Sequence, residues 1–241
     1  MADRVAIVTG GSGGIGAAVC RALSSSCAAV LVGYGRNRDA ADAVAASCGT
    51  NAEAVALDVT DVAQVEAAVA RAGELGQVGV LVHAAGLVDD DLLLRLDPDR
   101  WDRTHDVNLR GAYLASRAAL RPMLRGRWGR IVFVTSVVGL RGNAGQTAYA
   151  AAKAGLVGLT KSLAREVGRK GVTVNAVAPG YVETEMTAGL PDEARDAFLA
   201  DTPVGRAVTA DEVAAAVRFL ASEEAAAITG TVLAVDGGMA I

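Results

Sequence analysis

The chain has 241 residues, of which 52% are hydrophobic, 21% charged and 4% aromatic, with a formal net charge of -4. That is enough apolar material for one large domain, and the acidic, aromatic-poor balance excludes the basic face of a nucleic-acid binder. Charges or glycines break every apolar stretch short of the ~20 residues of a membrane span, and Cys20, Cys27 and Cys48 lack both even number and metal-ligand spacing, so they read as reduced, partly buried thiols with no metal site.

Met1-Ala-Asp-Arg-Val5 leads straight into the first apolar run without a charged leader, which predicts a cytoplasmic protein. The first strand, Arg4 to Val8, is followed by Thr9, Gly10, Gly11, Ser12, Gly13, Gly14, Ile15 and Gly16 and then by an Ala-rich helix. Such a strand-turn-helix leaves main-chain amides and a helix N-terminus open to an anion, and Gly11, Gly13 and Gly16 have the spacing of a dinucleotide turn, so pyrophosphate suits the site. Gly10, Ser12 and Gly14 also match the nucleophile elbow of a hydrolase. That reading needs a histidine late in the chain, and only His83 and His105 exist. A P-loop fails because no Lys-Ser or Lys-Thr follows Gly16.

The second strand, Ala28 to Val32, runs into Gly33-Tyr-Gly-Arg36-Asn-Arg38. An acid here would bond the adenosine 2'-hydroxyl; with none present, and with Arg36 and Arg38 beyond, a 2'-phosphate meets cations, so NADPH is expected ahead of NADH. Further strands are predicted at Ala54 to Leu57, Val78 to Val82, Arg130 to Thr135, Val172 to Val177 and Val232 to Val235. All seven are short, β-branched and apolar on consecutive positions, and the segments between them are long enough for crossover helices, which predicts a parallel sheet covered on both faces. Capping boxes are expected at Asp61 to Gln64 and Thr209 to Glu212, and Gly168 and Gly171 end a long helix that begins near Thr147. The least regular stretch, about residues 181–206, holds Pro191, Pro203 and one short helical pattern at Asp192 to Leu199; it reads as a substrate loop within a single domain spanning residues 1–241.

Ser136 closes the fifth predicted strand, and Tyr149 and Lys153 follow four residues apart, which on a helix places phenol and ammonium on one face. A fixed neighbouring cation favours the phenolate and a serine can hold a carbonyl oxygen, so the three residues point to proton transfer at an oxygen.

With Asp58-Val59, Asn108 and Pro179-Gly180, these motifs make the chain resemble the short-chain dehydrogenase/reductase family over its whole length. The strings Gly142 to Tyr149, Pro179 to Met186 and Ile228 to Gly238 resemble the 3-oxoacyl-acyl-carrier-protein reductases. The resemblance implies a doubly wound, three-layer Rossmann-type α/β domain with a seven-stranded parallel sheet. It implies that Tyr149 protonates a ketone oxygen as hydride arrives from the nicotinamide, that Ser136 bonds that oxygen, that Lys153 bonds the nicotinamide ribose and lowers the tyrosine pKa, and that Asn108 holds a water linking the lysine to solvent. The same resemblance places Asp58 and Val59 at the adenine and Ala85, Gly86, Pro179, Gly180, Val182 and Thr184 along the cofactor. Two departures stand out: His83-Ala84 replaces the usual Asn-Asn before Ala85-Gly86, and Gly13 stands where NADPH-preferring relatives often carry arginine.

The implied substrate is a β-ketoacyl thioester on acyl carrier protein, docked by Arg127 and Lys170 within a basic patch of Arg125, Arg130 and Arg169, with Met186, Leu190, Phe198 and Leu199 shaping the acyl pocket. A homotetramer built on the long helices and residues 234–241 is implied too. Acetoacetyl-CoA reductases, polyketide ketoreductases and NAD-dependent alcohol dehydrogenases share the same pattern, and a sensor that keeps the fold without chemistry would lack one of Asn108, Ser136, Tyr149 and Lys153, all of which are present.

Overall fold

The computed structural model describes residues 1–185, 187–189 and 191–241. Seven parallel strands form one sheet: β1 (Arg4–Thr9), β2 (Ala29–Tyr34), β3 (Ala52–Ala56), β4 (Gln77–His83), β5 (Gly129–Val134), β6 (Val172–Pro179) and β7 (Val232–Val235), in the order β3-β2-β1-β4-β5-β6-β7. The expected strands are all present; β3 begins two residues earlier than its apolar run, at Ala52, and β6 runs on to Pro179.

The order reverses between β1 and β4, and a crevice opens there at the C-terminal strand ends. Alternation along each strand divides the core. Ala6 and Val8 of β1 pack with Val30, Val32, Val80 and Val82 against α1 (Gly14–Ser24), α2 (Arg38–Cys48) and a helix at Ala210–Ala221. Val5 and Ile7 pack with Leu31, Leu81 and Ile131 against α3 (Val62–Leu75) and helices at Gly111–Gly126 and Thr147–Val167 on the opposite face. Three layers result, and strands covered on both faces explain the runs of consecutive apolar residues.

Between β4 and β5 the chain forms α4 (Pro98–His105), a π-helical turn (Asp106–Arg110) and α5 (Gly111–Gly126) without a break. After β5 come α6 (Val138–Arg141) and α7 (Thr147–Val167); α8 (Asp192–Ala200) lies in the irregular loop and α9 (Ala210–Ala221) precedes β7. Helix α9 starts on a complete capping box, Thr209 with Glu212. At α3 the box is incomplete. Asp61 accepts from the amides of Ala63 and Gln64, but the Gln64 side chain reaches the Asp61 carboxylate and the Asp58 amide in place of the Asp61 amide. No helix among the described residues is long and apolar enough to cross a membrane.

Candidate active site

The C-terminal strand ends open into a cavity of about 800 Å³. The glycine turn from Gly10 to Gly16 makes one wall, and two close approaches fix its shape. Gly10 has φ +63°, and a Cβ there would lie 2.7 Å from the Cα of Ala85 on the neighbouring strand exit; a Cβ on Gly16 would lie 2.1 Å from the Gly10 carbonyl oxygen. The turn is thus folded too tightly for side chains at those positions, and α1 begins at Gly14 with its first amides toward the cavity. This cradle fits a dinucleotide pyrophosphate.

On the facing side, β5 delivers Ser136 and α7 delivers Tyr149 and Lys153, all lining the cavity. The Thr135 hydroxyl donates to the Lys153 carbonyl at 2.7 Å, tying the exit of β5 to the first turns of α7. Ser136 Oγ accepts from the Val138 amide at 3.1 Å, which orients the hydroxyl and starts α6. Lys153 is 3% exposed; its Nζ donates to the Val134 carbonyl at 2.9 Å and stands 5.4 Å from the centre of the Tyr149 ring. That bond uses one of the three ammonium donors.

Burial sets the resting charges. It pushes the Tyr149 phenol up to about 12, against the opposing pull of the Ser136 hydroxyl and with a smaller push from the Asp90 carboxylate. It also pulls Lys153 down to about 8. In the free chain, desolvation therefore outweighs the cation beside the phenol, and Tyr149 rests as a protonated acid, the form a proton donor needs.

Asn108 sits fully buried in the π-helical turn. Its Nδ2 donates to the carbonyls of Leu87 and Thr104 at 2.8 and 2.9 Å, and its Oδ1 accepts from the Leu87 amide at 3.3 Å. Asn108 is thereby clamped to the exit of β4, where Ala85 and Gly86 line the cavity.

Pro179, Gly180, Val182 and Thr184 line the cavity beyond β6, and Thr184 lies against the glycine turn, with its Cγ2 2.6 Å from where a Gly14 Cβ would stand. Thr9 is buried beneath the turn, and the Gly11 amide donates to the Gly33 carbonyl at 2.8 Å. Asp58 Oδ1 accepts from the amide and hydroxyl of Thr60, and Val59 is buried against Gly111. Arg38 shares its charge with Asp42 at 3.4 Å, whereas Arg36 has no ion-pair partner among the described residues.

An apolar wall faces Tyr149. Val137, Val138, Tyr181 and Met239 are buried there, joined by Phe198 and Leu199, and Tyr181 stacks on Phe198 at 5.6 Å between ring centres. Met186 and Leu190 lie outside the described residues. Sequence reasoning missed Tyr181, Met239 and a polar strip: Gln146 donates to Asp90 Oδ2 at 2.8 Å and accepts from Asn143 at 3.0 Å. The one signal for this strip was the position of Asp90, four residues past Gly86 and on the mouth of the crevice.

Arg127 and Lys170 are brought together, but at the opposite edge of the sheet. A Cβ on Gly171 would fall 2.2 Å from the Arg127 carbonyl oxygen, so the two turns that carry these cations touch where β5 and β6 begin. From Gly129 to Ser136 the extended chain covers roughly 20 Å. Arg130 is not a surface cation: it is 3% exposed, stacked 4.4 Å from the Trp128 ring and paired with Glu223 at 3.3 Å.

Residues 10–240 match a family model described as enoyl-(acyl carrier protein) reductase. The chain is 46% identical over 237 residues to the 3-oxoacyl-[acyl-carrier-protein] reductase FabG of Escherichia coli (strain K12), covering 98% of this chain and 97% of that protein. It is 48% identical over 237 residues to the enzyme of the same name from Vibrio harveyi, with the same coverage. Against the Pseudomonas aeruginosa enzyme the identity is 45% over 240 residues, with 98% of this chain and 97% of that protein covered.

Proposed function

Since the chain belongs to the short-chain dehydrogenase/reductase family, we propose that it reduces the ketone of a β-ketoacyl thioester on acyl carrier protein to the 3-hydroxyacyl thioester, in cytoplasmic fatty acid synthesis, with NADPH as the reductant. The observation that carries this reading is the convergence of Ser136 and Tyr149, two hydroxyls beside one apolar wall in a cavity that also holds the glycine cradle. When bound, the nicotinamide supplies hydride.

The protein's own residues do the rest. The amides of the glycine turn and the N-terminus of α1 hold pyrophosphate, and Arg36, free of any carboxylate among the described residues, meets the 2'-phosphate. Ser136 donates to the ketone oxygen and holds it beside the phenol. Tyr149 gives the proton that turns that oxygen into a hydroxyl. Lys153, with donors to spare beyond Val134, bonds the nicotinamide ribose, and its charge stabilises the phenolate left behind. Asn108, fixed by three hydrogen bonds, holds the water that returns a proton. Arg127 and Lys170 dock the acidic carrier, and a homotetramer joins copies through α5, α7 and residues 234–241; Tyr113, 49% exposed on α5, and the exposed Ile241 support those faces.

The description of the family model favours a second reading, reduction of the carbon-carbon double bond of an enoyl thioester. Both are tested by following NADPH and NADH oxidation with acetoacetyl and crotonyl thioesters, carrier-bound and CoA-bound. Rapid turnover is expected with NADPH and carrier-bound acetoacetyl thioester, and Tyr149→Phe is expected to lose about 10²–10⁴ in kcat. Turnover of the crotonyl thioester alone, or an undiminished rate in Tyr149→Phe, overturns the proposal.

A further inference from the structure

His83 ends β4, pairs in register with Thr9 at the end of β1, and is fully buried. Its Nδ1 lies 3.0 Å from Thr9 Oγ1. The same oxygen accepts the Ala85 amide at 3.2 Å, and the Thr9 carbonyl accepts the Ala84 amide at 3.2 Å. The threonine hydroxyl carries one proton of its own, and Nδ1 is the acceptor within reach of it. The imidazole proton therefore belongs on Nε2.

Among the described residues Nε2 is buried without a formed hydrogen bond. The carbonyls of Val107 and Asn108 lie near enough to favour a proton on the ring, without a formed bond to Nε2. Those carbonyls belong to the π-helical turn, where main-chain bonding changes from i+4 to i+5, a feature concentrated at functional sites. Burial, with the Lys153 charge nearby, pushes His83 down to about 3, so the ring is neutral wherever the enzyme works.

We infer that His83 is a positioning residue: as the neutral Nε2–H tautomer, its ring holds Thr9, at the root of the glycine turn, while standing beside the π-helical turn that carries Asn108. One rigid side chain thus anchors the cofactor cradle next to the segment that carries Asn108. A neutral ring leaves Lys153 as the titrating base at this depth among the described residues, so His83 stays out of the proton path itself.

The inference rests on the proposed NADPH chemistry only in its binding and kinetic arms. The first measurement is independent of any ligand: nitrogen-15 long-range correlation spectra of the intact chain are expected to show the His83 Nε2–H tautomer unchanged from about pH 5 to 9. The second compares His83→Asn with His83→Leu. NADPH binding, read by its fluorescence, is expected to weaken roughly tenfold in His83→Leu, as for a buried hydroxyl that loses its partner, and to recover in His83→Asn. The pH profile of kcat is expected to shift in the leucine variant alone, through Asn108. If His83→Leu does not fold, Thr9→Val removes the same contact from the other side and is expected to weaken NADPH binding similarly. An Nδ1–H tautomer, titration of His83 within that range, or variants with unaltered binding and pH profile overturn the inference. If NADPH does not bind the unaltered chain, the function fails and the tautomer still decides the brace.

Discussion

Desolvation moves the pKa values of Tyr149 and Lys153 in opposite directions with one chemical result: it favours the neutral form of both. The linked stability follows by sign. An unfolded lysine holds its proton up to about pH 10.4, whereas buried Lys153 releases it near 8, so between those values the unfolded chain binds more protons and the folded state gains stability as pH rises. Tyr149 works the other way above about pH 10, where the unfolded chain gives up a proton that the folded one keeps. Lys153→Met is therefore expected to be inactive yet more stable without ligand at pH 7, by about 1–2 kcal/mol after the lost Val134 contact is subtracted. The advantage should shrink toward pH 10; denaturant melts of the two chains at several pH values measure it. The spacing of Tyr149 and Lys153 was legible because a helix repeats every 3.6 residues. Arg130 was misread as surface charge because its burial depends on Trp128 and Glu223, neither of which a local reading of charge can place against it.

At the scale of elements, the glycine turn is set by three close approaches: Gly16 against Gly10, Gly10 against Ala85, Gly14 against Thr184. Gly16→Ala must push the methyl into the Gly10 carbonyl, which is backbone and cannot swing aside. It is expected to cost more than a surface change, about 2–4 kcal/mol, and to abolish NADPH binding; thermal melts and fluorescence titration check both. The seven strands were readable because both faces of each are covered, which turns burial into uninterrupted apolar runs. The π-helical turn at Asp106–Arg110 was not readable, since the widening of one turn inside a continuous helix leaves the hydrophobic repeat almost unmarked. The Asp90–Gln146–Asn143 strip was equally hidden, because it joins two loops whose register is set by the strands beneath them.

For the whole molecule, parallel strands give the sheet two unlike sides: all C-terminal ends lie on one, where those of β1, β4, β5 and β6 meet the cavity, and all N-terminal ends on the other. Arg127 stands at the N-terminal edge in the left-handed region, φ 50°, where glycine is the ordinary choice, so its side chain is kept there at a conformational cost of about 1 kcal/mol. If Arg127 and Lys170 dock the carrier as proposed, it faces away from the same copy's Ser136. If neighbouring copies of the proposed homotetramer run antiparallel, the landing place and the reaction centre come from different chains. Mixed oligomers test this directly: chains with Tyr149→Phe and chains with Arg127→Glu and Lys170→Glu, each slow with carrier-bound substrate, are expected to regain activity when refolded together, and both should keep their separate behaviour with CoA-bound substrate. Strand polarity alone would then make each copy the receptionist for its neighbour's workshop.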